Sequence, residues 1–173
     1  MEQMVLGGGC FWCVEGALLG LRGVTEVIPG YSGGHVENPT YEQVCGKRTG
    51  HAEVVRVAFE PDEIARSTLL EVFFTCHDPT QLNRQGNDVG PQYRSIVLYA
   101  DQGQREDALA AIEEMSEAFY DPIVTEVSPL GDFYVAEKIH HNYYQNNPQN
   151  PYCSLVAAPK IAKTRAKHAD LYE

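Results

Sequence analysis

Cys10 stands where a sulfur could react. Val5-Leu6 and then Gly7-Gly8-Gly9 precede it; Phe11-Trp12-Cys13 and the run Val14-Glu15-Gly16-Ala17-Leu18-Leu19 follow. A short apolar run, three glycines and a helix-forming segment read as a strand, a tight turn and a helix start. Unpaired N–H groups and the positive end of the helix dipole favour an anion there. The spacing therefore predicts a stabilised Cys10 thiolate with a lowered pKa. The glycines let the backbone approach closely and keep the sulfur uncovered. Two aromatic rings, Phe11 and Trp12, adjoin it, and a second thiol, Cys13, lies three residues on. A reactive thiol beside an aromatic platform points to thiol chemistry on a small apolar group.

Other residues could join that chemistry. Glu53 heads an otherwise apolar strand in Gly50-His51-Ala52-Glu53-Val54-Val55. Desolvation there would raise its pKa and let it keep a proton near neutral pH; the plainer reading is an exposed strand-end carboxylate. Tyr41 and Tyr93 come from polar loops, where they could donate to negative charge or simply pack. Asp88, in Gln85-Gly86-Asn87-Asp88, reads as a turn residue bonding backbone. His51 could tune Glu53, although a loop histidine is the stronger reading. His140 and His141 are adjacent, so on a helix they face different ways and do not suit a joint metal site. The glycine runs fit neither a dinucleotide fingerprint nor a phosphate loop. No metal and no cofactor are expected.

The elements that position these groups are visible as patterns. A strand over residues 3–7 leads into a helix from Cys10 to Leu21, ended by Gly23. Val24 to Tyr31 alternates as a second strand. Residues 32–50 read as a long polar loop, of the kind that is functional in a compact domain. Glu53 to Phe59 is a third strand with Val55, Val57 and Phe59 on one face. A helix runs from Pro61 and Asp62 to Cys76, a second polar loop covers 77–94, and a strand runs from Ile96 to Ala100. A helix over Gln102 to Phe119, a strand over Ile123 to Val127 and a helix over Val135 to Gln145 follow. From Asn146 the prolines predict irregular chain. The order β-α-β-β-α-β, then α-β-α, predicts a two-layer α/β sandwich, ferredoxin-like, with an added helix-strand-helix and an irregular C-terminal tail. Residues 1–155 would be a single catalytic domain and 156–173 a tail.

Composition bounds the class. The chain has 173 residues, is 43% hydrophobic and carries a net charge of −11. That length suits one domain with a real core, and the acidity speaks against nucleic acid or an anionic membrane as partner. Lys160, Lys163, Arg165 and Lys167 leave residues 159–173 at +2, read as a solvated basic stretch. No apolar run reaches the roughly 18–20 residues that span a bilayer, and no leader precedes the first motif. A cytoplasmic monomer is the expectation. The five cysteines are an odd count in unlike contexts, which argues against a disulfide framework.

Gly9-Cys10-Phe11-Trp12 resembles the signature of the A class of peptide methionine sulfoxide reductases. Gly30-Tyr31-Ser32-Gly33-Gly34, Asn38-Pro39-Thr40-Tyr41, Thr49-Gly50-His51-Ala52-Glu53, His77-Asp78-Pro79-Thr80 and the run Arg84 to Ser95 resemble that family in order and spacing. Together they cover most of residues 5–155. The resemblance implies an α/β sandwich with a coiled C-terminal segment, and reduction of the S epimer of methionine sulfoxide, free or in proteins. It implies Cys10 as nucleophile, Glu53 as acid, Tyr41 and Tyr93 on the sulfoxide oxygen, Asp88 in support, and Phe11 and Trp12 as the methyl-accepting pocket. The resulting sulfenic acid would condense with a second thiol. Cys153, after Asn150-Pro151 and beside Tyr152, matches the family's recycling position, and thioredoxin would reduce the disulfide. Cys13 stands where the family often has glycine and is the alternative recycling thiol. Cys45 and Cys76 read as structural.

Two other readings compete. A thioredoxin-like exchanger would use Cys10 and Cys13 but lacks an identifiable cis-proline loop. A zinc module would use Cys10, Cys13, Cys153 and a histidine, but only one Cys-x-x-Cys pair exists.

Overall fold

The computed structural model describes residues 1–173. In chain order its elements are β1 (Glu2–Gly7), α1 (Phe11–Leu18), β2 (Val24–Ser32), α2 (Tyr41–Cys45), β3 (Ala52–Phe59) and α3 (Arg66–Thr75). A small hairpin of β4 (Arg84–Gln85) and β5 (Asp88–Val89) precedes β6 (Ile96–Tyr99) and α4 (Gln102–Met115). Then come β7 (Glu126–Pro129), β8 (Phe133–Val135), α5 (Tyr143–Asn146) and α6 (Ala158–Lys167).

Six strands form one sheet in the order β7-β6-β1-β3-β2-β8. Every neighbouring pair is antiparallel except β6 and β7. Alternate residues of a strand face opposite sides of a sheet. On β3, Val55, Val57 and Phe59 join the main core with Leu69, Leu70, Phe73 and Phe74 of α3 and with Phe11, Val14 and Leu18 of α1. Ala52 and Val54 face the other side, with Val5, Ile96 and Leu98. Glu53 continues the first row, so its carboxyl is carried to the side on which α1 lies.

The turn between β1 and α1 is tight on both flanks. A Cβ at Gly8 would stand 2.7 Å from the His77 ring, and Gly9 has φ +86° with Gln85 against it. That packing fixes where Cys10 emerges.

Several expected elements differ. α1 stops at Leu18, because Leu19 is extended and Gly20 has φ +89°. The 32–50 loop contains α2, started by a capping box in which Thr40 Oγ1 accepts from the Gln43 N–H and the Gln43 side chain accepts from the Thr40 N–H. The 77–94 loop contains the β4–β5 hairpin. The expected strand over 123–127 is β7, set by its parallel register Ile96 to Glu126 on β6. In place of a helix over 135–145, β8 extends the sheet beside β2, and a turn then leads to the short α5. The C-terminal stretch is helical, not irregular: a π-helical segment, Cys153–Ala157, runs into α6. Pro159 sits at the start of α6, directly after the π-helical segment. α6 packs on α1, with Ile161 against Gly16 and Arg165 Nη2 donating to Leu19 O at 2.6 Å. No helix is long and apolar enough to cross a membrane.

Candidate active site

Cys10 occupies the cap position of α1, extended at φ −64° and ψ 130°, and its side chain caps nothing. The first helical N–H, that of Phe11, donates to Glu53 Oε1 at 3.1 Å. Glu53 reaches it because β3 runs beneath the start of α1 with this residue on the helix side. The carboxyl is 1% exposed, and its Oε2 has no partner. Burial pushes its pKa up to about 8, against the opposing pull of the Phe11 N–H. In its ionised form the carboxyl would raise the pKa of the nearby Cys10 thiol.

The expectation of an ionised, uncovered sulfur is corrected here. Cys10 is only 6% exposed. Its pKa is raised well above the ordinary thiol value by burial, then by its hydrogen bond with Cys13 and the charge of Glu53. The physical reason is burial, which outweighs the downward pull of the Trp12 N–H in the first turn of α1. Cys13 moves the other way: the hydrogen bond from Cys10 lowers its pKa, and the charge of Lys160 adds to that.

Adjacent helical residues point about 100° apart, yet Phe11 and Trp12 meet the same partners. The fully buried Phe11 ring lies 5.7 Å from Tyr31, 6.2 Å from Tyr41 and 5.4 Å from His140. Trp12 stacks on Tyr143 at 3.8 Å and 11°, lies 6.5 Å from Tyr41, and donates its Nε1–H to His140 Nδ1 at 3.2 Å. Because His140 Nδ1 accepts, burial serves it by keeping the ring neutral.

Tyr41 opens α2, and its N–H donates to Glu137 Oε2 at 3.0 Å, while Tyr31 Oη donates to Oε1 of the same carboxylate at 2.9 Å. Tyr93 follows Gly90 in a single turn, and its carbonyl accepts the Gly9 N–H at 3.2 Å. Burial raises both phenols far above their usual pKa, and the charges of Glu53 and Cys10 add to it. Both phenols therefore keep their protons near neutral pH. Asp88, on β5, does not act as a mere turn residue; it accepts from Tyr152 Oη.

Tyr152 Oη also stands 3.9 Å from Cys13 Sγ, and its ring meets Trp12 edge-on at 5.8 Å. The segment before the π-helix thus lies against Trp12 and Cys13 of α1. Cys153 is fully buried beside that turn, and all five cysteines are free thiols. Cys76 is buried, which pushes its thiol up to about 12. His51 does not tune Glu53: its Nδ1 accepts from the Gly34 N–H at 3.0 Å and its Nε2 meets Val36 O at 2.7 Å.

Glu137, His140, Tyr143 and Tyr152 join the site without having been singled out for it. Their only signal was proximity to residues already noted, Tyr152 beside Cys153 and Tyr143 beside the histidine pair. Nowhere do three or more His, Cys, Asp or Glu side chains gather as metal ligands. A cavity of about 430 Å³, lined by Cys76, His77, Gln85 and Lys160 among others, does not have Cys10 in its lining.

The family model for peptide methionine sulfoxide reductase matches residues 2–172. The chain belongs to that family. It is 59% identical over 167 residues to "Peptide methionine sulfoxide reductase MsrA" of Natronomonas pharaonis, covering 95% of this chain and 94% of the relative. It is 53% identical over 163 residues to the MsrA of Nautilia profundicola, covering 94% of each. Reduced Mxr1 from Saccharomyces cerevisiae superposes with a TM-score of 0.83 at 33% identity, over 88% of each chain. The protein is accordingly an oxidoreductase with the mixed α/β architecture of that family.

Proposed function

We propose that this protein reduces the S epimer of methionine sulfoxide, free or in proteins, with Cys10 as nucleophile and Glu53 as acid. The sulfoxide methyl group would enter between Phe11 and Trp12, with its oxygen towards Glu53, Tyr41 and Tyr93. Cys10 Sγ attacks the sulfoxide sulfur while Glu53 passes its proton to the oxygen. The oxygen then transfers to Cys10 as the S–O bond to substrate breaks, giving methionine and a Cys10 sulfenic acid. The thiol proton returns to Glu53. Two electrons pass from the cysteine sulfur to the substrate, and no cofactor enters.

The observation that carries this reading is the seating of a proton-holding carboxyl against Cys10 at the start of α1. A neutral thiol beside a neutral acid suits it: the carboxylate left after protonating the oxide can accept the proton of the attacking thiol. Polarisation of the substrate then activates the sulfur, and a standing thiolate is not required.

Cys153 is the proposed recycling thiol. It condenses with the sulfenic acid, releases water and forms a disulfide that thioredoxin reduces. The closeness of the two cysteines, with the Cys13 N–H donating to Cys10 O at 3.1 Å, favours a second reading, in which Cys13 takes that role. Asp88 would act through Tyr152, which it binds. We also read β1, α1, β2, β3, α3 and β6 as a ferredoxin-like unit, supported by the central order β6-β1-β3-β2. In that reading residues 1–155 carry the chemistry of a cytoplasmic monomer, and residues 156–173 brace α1.

The test is methionine release from methionine S-sulfoxide with no reductant present. The intact chain should yield methionine and Cys10→Ser none. Methionine from folded Cys10→Ser would overturn the assignment.

A further inference from the structure

Glu15 is buried in α1, 1% exposed, and the chemistry above does not use it. Its Oε2 accepts the backbone N–H of Asn142 at 3.0 Å, across 127 residues of chain, and its Oε1 has no partner. Burial pushes the carboxyl up to about 7. A buried carboxyl with an unpaired oxygen costs stability, and a well-packed apolar residue would fill the same space at less cost. Packing therefore does not explain it. Its partner does.

Asn142 is held at φ +53°, a left-handed conformation, and turns the chain into α5. The stretch from Ala136 to Asn146 forms a strap over the start of α1. One end is fixed by Glu137, which accepts from Tyr31 Oη and from the Tyr41 N–H. The middle supplies His140, which accepts the Trp12 Nε1–H. Tyr143, next to Asn142, supplies the ring that stacks 3.8 Å from Trp12. Glu15 fixes the far end. It lies three residues after Trp12 on the same helix, and so ties the strap to the element that carries the ring it must meet.

We propose that Glu15 is a positioning residue: by pinning Asn142 to α1 it sets Tyr143 and His140 on Trp12 and so shapes the apolar pocket for the sulfoxide methyl group. The pocket half of this statement rests on the reading of Phe11 and Trp12 given under Proposed function. The bond needs an acceptor at the end of the side chain, which glutamine also provides.

Trp12 is the single tryptophan of the chain, so its emission reports on this contact directly. Glu15→Ala should shift the emission of the substrate-free protein and raise KM for methionine S-sulfoxide about tenfold, with kcat within about twofold, the pattern of lost binding without lost chemistry. Glu15→Gln should restore both. Should Glu15→Ala not fold, Glu15→Met fills the space without an acceptor and carries the same expectation. A folded variant lacking the acceptor, yet with parental emission and KM, would overturn the proposal, as would Glu15→Gln failing as badly as Glu15→Ala. Shifted emission with parental KM would remove Trp12 from the methyl pocket and leave the pin standing.

Discussion

The backbone N–H of Phe11 donates to Glu53 Oε1 at 3.1 Å, joining residues 42 apart in sequence. A carboxyl, not a thiolate, therefore receives the leading N–H of α1. This bond opposes the upward push of burial on Glu53, yet the group still holds its proton up to about pH 8. Beside it Cys10 also stays protonated near neutrality. In the proposed reaction the pair would meet its substrate uncharged.

Glu53→Gln removes the transferable proton and keeps the size. The single-turnover rate of methionine formation should fall by about a hundredfold or more, within the usual range for a positioned acid. In the parent, loss of the Glu53 proton should make this step decline as pH rises through about 8. Glu53→Gln should not show that limb. Quenched-flow measurement across that range checks both.

The same shift governs stability. Glu53 binds its proton more tightly folded than unfolded, where a carboxyl titrates near its ordinary value. Its contribution is thus fully present at low pH and is lost as pH rises from roughly 4.5 towards about 8. Glu53→Gln should gain Tm relative to the parent over that window, with the gap widening as pH increases. A constant gap in calorimetric scans would contradict the link.

Recycling separates the two candidate thiols. Cys153→Ser should release a single equivalent of methionine per chain and then stop under thioredoxin and its reductase, while Cys13→Ser continues to cycle. Peptide mapping of the oxidised parent should find Cys10 joined to Cys153. Unimpaired cycling of Cys153→Ser would move the role to Cys13, whose N–H donates to Cys10 O at 3.1 Å.

The glycine turn should resist enlargement. A Cβ at Gly8 would press on His77, whose ring is held by Phe73 O at 2.8 Å and Ser95 Oγ at 2.7 Å. Gly8→Ala should cost about 1–3 kcal/mol and lower Tm. Gly131→Ala, with nothing within 4 Å, is the control and should leave Tm close to the parent.

Sequence patterns carried the parts of this molecule that local rules decide. Alternation marked β3 and, with it, the face on which Glu53 lies; the apolar run and glycines marked β1, the turn and α1. What escaped was set by distant partners or by capping. Thr40 and Gln43 were a legible capping box inside what read as loop. Pro159 read as a breaker because its place in a first helical turn depends on where α6 begins. The contact of Tyr152 with Cys13 joins residues 139 apart in the chain and is invisible to any local window. His140 and Glu137 met Trp12 and Tyr41 only because β8 adds to the sheet edge beside β2.

The central claim, a Cys10 thiol that takes oxygen from the sulfoxide, has one direct test. In a chain carrying Cys13→Ser and Cys153→Ser, the sulfenic acid has neither candidate partner and can be trapped with dimedone after a single turnover. The expected result is an adduct on Cys10 in the same amount as the methionine released. Methionine formed with no adduct on Cys10, or with the adduct on Cys45 or Cys76, would contradict it.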